Sequence, residues 1–446
     1  MKKSRLLFIL ALAMSLTGTA QRPYTLQECI DTALQKSLQL KSDNYDLAKT
    51  QAGIGEAYSS LLPSVNASAG YQYYFQLQKQ LIPADLFGGT AGKYTATSLS
   101  TAQSKSLGIQ LNQTLFNASS LIALKAAKVA VNLNELQIRS SREDLVYNVS
   151  ATYYNIQSIL MQQAMVRKNL SIDESLVKVT ADQLRAGLAT QTDLDRLTVQ
   201  RDNTRATLQN TSNSLEKQYN MLRLLMNVPL ETDIAVLQEE YDEEEALASQ
   251  QKTDVDLTGK TNYRQVLENK KVADLQRRNI KAGYLPSLSL GASYGLSGYN
   301  STANPFENLN HTWYPSSYVS LSLSVPLFDG FRKKYQVREQ EIAIRKYDVQ
   351  AEQTLQQNRK DVADAYADLK SNYITWQSQK RNLALAQKVL ADISNQYTSG
   401  LVKLTDALNS RSELETAENN YITALINIKQ AELSLKKANG TLLNNK

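Results

Sequence analysis

Leu62-Pro63-Ser64-Val65-Asn66-Ala67-Ser68-Ala69-Gly70-Tyr71 reads against Leu285-Pro286-Ser287-Leu288-Ser289-Leu290-Gly291-Ala292-Ser293-Tyr294. Pro63 and Pro286 stand 223 positions apart, half of a 446-residue chain. Further on, Leu115-Phe116-Asn117 answers Leu327-Phe328-Asp329 at a spacing of 212. Gly187-Leu188 with Thr192-Asp193 then answers Gly400-Leu401 with Thr405-Asp406 at 213. Three motifs in one order at nearly constant spacing mark an internal duplication, which must be found before any fold is assigned. The fall from 223 to 212 puts an 11-residue surplus between the first two match points of the first copy.

Each copy carries two segments of period-two alternation. Val65, Ala67, Ala69, Tyr71 and Tyr73 alternate with small or polar residues, and so do Leu107, Ile109 and Leu111. In the second copy the apolar series are Leu288, Leu290, Ala292, Tyr294 and Leu296, then Val319, Leu321, Leu323, Val325 and Leu327. Strands of about ten residues with one apolar face and one small polar face fit an outer-membrane barrel, lipid outside and water inside. A soluble antiparallel sheet lying on a helix gives the same alternation. Residues 75–104 and 297–316, rich in Gly, Ser, Thr, Asn and aromatics, read as long hairpin loops. His311, Trp313 and Tyr314 fall in the second loop. Four strands cannot close a barrel, and an open edge in lipid leaves backbone groups unpaired. A barrel therefore needs several chains: two would give eight strands and a filled interior, three would give twelve and a lumen.

Between the strands and the chain ends the spacing predicts very long helices. Residues 117–186 hold neither proline nor glycine, and residues 329–399 hold only Gly330 near the start. Asn117 and Asp329 are placed to cap them. At 1.5 Å per residue each would span roughly 100 Å. Return helices follow Gly187 and Gly400. Leu414, Tyr421, Ile428 and Leu435 recur every seven residues, as do Ala417, Ala424 and Ala431, and Leu208, Leu215 and Leu222 in the first copy. That is the period of a coiled-coil seam, with alanines allowing close approach. Thr25 and Glu28 form a capping-box start for a helix before the first strand.

The N-terminus predicts export. Lys2, Lys3 and Arg5 precede the apolar run Leu6–Leu16, and Gly18-Thr19-Ala20 offers a cleavage site. Losing those three cations takes the net charge from +6 to +3, which removes the main support for a nucleic-acid partner. Leu26-Gln27-Glu28-Cys29 superficially fits a lipobox, but it lies well past the apolar run, and Cys29 reads as a helix residue. A single histidine and a single cysteine exclude a structural zinc site and an intrachain disulfide. No nucleophile–base pair or phosphate-binding glycine loop is found, so no enzyme and no cofactor are expected. The acidic run Glu239, Glu240, Asp242, Glu243, Glu244 and Glu245, interrupted by Tyr241, reads as a solvated linker.

Exported chain, duplication, two hairpins and four long helices together resemble the TolC family of outer-membrane efflux proteins. The Leu-Pro-Ser steps and the paired Gly-Leu-x-x-x-Thr-Asp turns are the most specific points of likeness. The resemblance implies a mainly α chain with membrane β. Four strands per chain assemble as a trimeric twelve-stranded barrel, continued by a periplasmic helical barrel. It further implies a passive exit duct of a tripartite efflux or type I secretion system, opened at its periplasmic tip by an adaptor and fed by an inner-membrane transporter. Carried onto this sequence, it places Gly187, Leu188, Thr192, Gly400, Leu401 and Thr405 at adaptor contacts. Asp193 and Asp406 fall near the pore gate, with Asn409 where some members have a second aspartate and Tyr397 where a tyrosine helps hold the closed state.

The expected layout is a signal peptide over 1–20 and two repeats. Repeat 1 covers 21–250, with strands near 64–74 and 105–115 and helices near 25–61, 118–186 and 192–227. Repeat 2 covers 251–446, with strands near 286–296 and 317–327 and helices near 261–284, 330–398 and 405–438. The alternative is an exported coiled-coil rod or adaptor with a soluble sheet. Such a rod gives no reason for the mid-strand polar positions to be wholly Ser, Gly, Asn and Gln.

Overall fold

The computed structural model describes residues 23–238, 241, 255–300 and 313–443, apart from the Phe87 side chain. The expected signal peptide, the acidic run except Tyr241, the repeat boundary at 250/251 and His311 lie outside the described residues. The elements are α1 (Leu26–Lys36), α2 (Leu38–Ser59), β1 (Ser64–Tyr73), β2 (Gln80–Pro83), β3 (Tyr94–Thr97), β4 (Gln103–Phe116), α3 (Ala118–Arg185) and α4 (Gln191–Met226). There follow α5 (Thr261–Ala282), β5 (Ser287–Asn300), β6 (Tyr314–Ser324), α6 (Arg332–Thr398) and α7 (Leu404–Ala438). A helix, two paired strands, a long helix and a return helix thus occur twice. The chain divides into two compact units, each built from both halves: the described residues of 46–134 and 267–349, and those of 1–45, 135–266 and 350–446.

The first unit holds the sheet. Its four strands are antiparallel in the order β1-β4-β5-β6, and a small β2–β3 hairpin stands apart. Residues 75–104, expected as loop, contain that hairpin and a 3-10 turn at Ala84–Phe87. The last strand stops at Ser324, short of the expected 327, because Pro326 has no N–H to offer a ladder. Pro315 is accommodated because β6 is an edge strand. Asn117 caps α3 as expected, its Oδ1 accepting from the Ser119 and Ser120 N–H groups at 3.0 and 3.3 Å. Asp329 acts one turn late. Gly330 and Phe331 both take left-handed φ of 66° and 65°, so α6 starts at Arg332 and Asp329 Oδ2 accepts from Lys333 N–H at 3.1 Å. Phe331, strained there, packs edge-on against Phe328 at 5.4 Å.

The second unit is helical. Residues 25–61, expected as one helix, break at Ser37. Its Oγ accepts from Leu40 N–H at 3.3 Å, so the residue that ends α1 also caps α2. The capping box at Thr25 and Glu28 is formed, with Thr25 N–H donating to Glu28 Oε2 at 2.9 Å. Cys29, Ile30 and Ala33 of α1 pack with Val146, Val149, Tyr153 and Ile156 of α3, Leu222 and Met226 of α4, and Ile234 and Val236. The segment before α1 is strapped alongside: Tyr24 N–H donates to Ala235 O at 2.7 Å, and Leu237 N–H to Tyr24 O at 3.1 Å. The second seam joins Leu369, Tyr373 and Trp376 of α6 to Ala424, Ile428, Ala431 and Leu435 of α7. The expected seven-residue line is therefore the buried one, with Leu414, Ile428 and Leu435 inside and Tyr421 half-buried. Each such Leu or Ile contributes roughly 1.5–3 kcal/mol through burial. A reciprocal amide pair, Asn262 and Asn358, lies in the α5–α6 seam at 2.8 and 3.2 Å.

Cys29 is fully buried, and burial, with Glu28 nearby, pushes its thiol up to about 12. The folded protein should therefore resist maleimide at pH 8 and label fully after denaturation. Rapid labelling of the native chain would show that α1 is not packed as described.

Candidate functional site

Two features of the fold are placed to do something beyond holding it together. The first is the sheet, whose register brings the alternation of four separate segments onto common faces. Ala69 pairs with Leu107 and Leu107 with Leu296. Ala67, Ile109 and Tyr294 form the next row, and Val65, Leu111, Ala292 and Val319 the one after. On the other face lie Ser68, Gly108, Gly295 and Ser316 in one row and Ser64, Asn112, Gly291 and Ser320 in another. Gly291 sits close to its strand neighbour: a Cβ there would meet Ser320 Oγ at 2.9 Å and displace that hydroxyl. Among the described residues nothing covers much of the apolar face. Val65, Ile109, Val319, Leu321 and Leu323 are between 53% and 75% exposed. Every residue of β1 and β6 is exposed, and both strands have an unpaired edge. A soluble one-sided sheet buries its apolar face, so that alternative does not describe this one.

The second feature is the end of the helical unit where α3 turns into α4 and α6 into α7. Both turns close in the same way. Leu188 N–H donates to Gln183 O at 2.8 Å and Gly187 N–H to Leu184 O at 3.0 Å. The counterparts are Leu401 to Gln396 at 2.9 Å and Gly400 to Tyr397 at 2.9 Å. These are Schellman ends, and they need the left-handed φ of 74° at Gly187 and 75° at Gly400. The geometry lifts Leu188 and Leu401 into solvent, at 81% and 76% exposure. Thr192, Thr405, Asp406 and Asn409 are exposed as well.

The two expected aspartates are not equivalent. Asp193 completes a capping box: its Oδ2 accepts from Thr190 N–H at 3.1 Å and Thr190 Oγ1 at 2.7 Å, while its own N–H donates to Thr190 Oγ1 at 3.2 Å. These bonds hold its carboxyl below the usual range. In the second copy Lys403 replaces the threonine, and among the described residues Asp406 Oδ2 accepts the Lys403 N–H alone, at 3.2 Å. Tyr397 is buried against Leu176, Leu197, Leu404 and Ala407, so one apolar cluster joins both turns. Its Oη lies 2.9 Å from Thr180 Oγ1.

Sequence reasoning missed a set of buried polar residues behind the tip. Asp173 of α3 accepts from Arg411 Nε of α7 at 3.2 Å and from Thr204 Oγ1 of α4 at 2.6 Å. Asn169 Nδ2 donates to Glu418 Oε2 at 2.5 Å, and burial pushes the Glu418 carboxyl up. The signal was present: Arg411 and Glu418 sit at seven-residue spacing between Leu404 and Leu425, all buried.

Comparison with known proteins gives one answer across the chain. The family described as outer membrane efflux protein matches residues 29–228 and 264–441. The chain is 21% identical to the outer membrane protein TolC of Escherichia coli (strain K12), covering 99% of this chain and 89% of that one. It is also 21% identical to the outer membrane efflux protein BepC of Brucella suis, covering 96% and 86%. Among solved structures, the outer membrane protein VceC from Vibrio cholerae aligns with a TM-score of 0.70 at 17% identity, covering 93% and 96%. The CmeC outer membrane channel of Campylobacter jejuni aligns at 0.73 with 15% identity, covering 93% and 85%. The chain belongs to the outer membrane efflux protein family, and it is an exit duct in the outer membrane rather than an enzyme.

Proposed function

We propose that three copies of this chain close one twelve-stranded barrel, and that the paired helical turns form its adaptor-gated periplasmic tip. The observation that carries the reading is a four-stranded sheet with one bare apolar face and two free edges. Within a bilayer each unpaired backbone group costs several kcal/mol, so the edges must meet. An even-stranded antiparallel sheet has edge strands of opposite direction. β6 of one copy therefore joins β1 of the next antiparallel, and the ring closes by cyclic symmetry. Two copies would leave an interior filled by side chains, whereas three leave a lumen. Tyr335, Ile342 and Val349 of α6 recur every seven residues and are all exposed, a second seam awaiting a neighbouring copy.

At the other feature, exposed Leu188 and Leu401 beside Gly187, Gly400, Thr192 and Thr405 offer apolar anchors on rigid turns to a periplasmic adaptor. That adaptor links the duct to an inner-membrane transporter. Asp406, with a single backbone contact, is free to face a narrow mouth and form a threefold acidic ring with Asn409 beside it. Asp193 is committed to its cap and contributes less. Tyr397 holds the two turns together from behind. Residues 1–20 act as the export signal.

Detergent extraction tests the assembly. The protein should leave the membrane only in detergent and run as a trimer by light scattering, and a monomer stable in plain buffer would overturn the reading. Ile109→Arg, on the lipid face, should block insertion at a cost of about 2–4 kcal/mol. Gln110→Arg, on the lumen face, should insert normally and shift ion selectivity toward anions; equal effects of the two would contradict the assigned faces. Asp406→Ala should raise single-channel conductance in planar bilayers and weaken block by divalent cations. Unchanged conductance and block would remove Asp406 from the gate.

A further inference from the structure

The four strand ends that join long helices lie at one end of the sheet, and the two copies differ in charge there. In the second copy α5 ends with Lys281 in its last turn, and α6 opens with Arg332, Lys333 and Lys334, followed by Arg338. At the spacings of 223 and 212 these positions answer Tyr58, Ser120, Leu121, Ile122 and Ala126 of the first copy. The same junctions form there without a cation at any of the five, so the fold does not call for this charge. Helix energetics oppose it at α6. The N-terminal turn of a helix carries partial positive charge, so cations there cost stability. No acid in that turn offsets them. Asp329 pairs with Lys333 at 3.5 Å. Lys281, Arg332, Lys334 and Arg338 are exposed and form no ion pair among the described residues.

In chain order, bare apolar side chains stand between these cations and the strands. Leu327, Phe328 and Phe331 are 92%, 75% and 55% exposed, and Tyr284 is exposed too. Lys333 Nζ lies 5.0 Å from the Tyr284 ring centre and Lys334 Nζ 5.5 Å from that of Phe331. Lys333 also passes close over Gly283, where a Cβ would meet its Cε at 3.2 Å, so the ends of α5 and α6 form one patch.

We propose that this patch docks anionic phospholipid of the periplasmic leaflet, its rings at the acyl boundary and its cations on the headgroup phosphates. The inference rests on the reading above, in which the sheet lies in the bilayer. Apolar strand, rings and cations then follow the order of acyl chain, interface and headgroup. Arg332 to Arg338 rise about 9 Å along α6, close to the roughly 5–8 Å of polar layer on each side of the hydrocarbon. Each cation at an anionic surface strengthens association by about fivefold. A zwitterionic headgroup brings its own cation and leaves the patch unneutralised, so the surface selects lipid of net negative charge.

Spin-labelled lipids test the selection. The unmodified full chain in phosphatidylcholine vesicles should immobilise labelled phosphatidylglycerol several-fold more strongly than labelled phosphatidylcholine, and added salt should erode the preference. K281Q/R332Q/K334Q/R338Q should remove most of it. If that variant does not insert, K334Q/R338Q decides and should at least halve the preference. R381Q/K388Q, which removes two exposed cations far along α6, should leave it intact. An equal loss in the two paired variants would reduce the effect to net charge and overturn the site. Displacement of the lipid by inorganic phosphate at matched ionic strength would mark a free-anion site and overturn it as well. A chain that does not enter the vesicles would sink the membrane reading of the sheet. An inserted chain without preference for phosphatidylglycerol would overturn the lipid site and leave the duct standing.

Discussion

Backbone hydrogen bonding in lipid is the constraint on which the rest of this structure depends. A strand in a bilayer has no water to satisfy its free N–H and C=O groups, so a sheet there must have no edge. This chain supplies four strands with two edges and an apolar face left largely bare among the described residues. In the reading proposed above other copies close the sheet, and the remainder of the fold follows from that demand. The helices are long because a duct must continue beyond the membrane. They lie on seven-residue seams because thin, hollow assemblies have no thick core and must stabilise themselves along helix contacts.

The same economy explains where the chain spends its few special residues. Gly187 and Gly400 stand where a left-handed backbone ends a long helix, and Gly291 where a strand neighbour comes close. Pro315 and Pro326 occupy an edge strand and its end, where the missing N–H is harmless. The lone cysteine is a core methyl substitute in all but name, buried among Ile30, Val149 and Tyr153.

Much of this was legible in the sequence because it is periodic. Alternation of two gave the strand faces, a period of seven gave the α7 seam, and paired motifs gave the two similar turns. What escaped was aperiodic or competitive. The break at Ser37 comes from a side chain bonding its own backbone, a local contest that hydrophobic pattern does not reveal. The late start of α6 comes from two left-handed residues, one of them a phenylalanine that sequence statistics disfavour there. At the tip, Asp193 and Asp406 look alike in sequence, yet a threonine against a lysine three residues earlier gives them different partners. The Asp173 cluster was hidden for the opposite reason. Charged residues on a seam look like surface until the helices that cover them are placed.

The two free edges of the sheet are different strands, β1 and β6, and that difference has a genetic consequence. In the head-to-tail ring proposed above, each copy offers one edge and receives another. A chain damaged only in β1 still presents a sound β6 and still captures a healthy neighbour, but the ring it enters never closes. Such a lesion spoils the product of the intact gene copy along with its own. Edge alleles of this chain are therefore expected to be dominant, whereas alleles that prevent folding altogether are recessive.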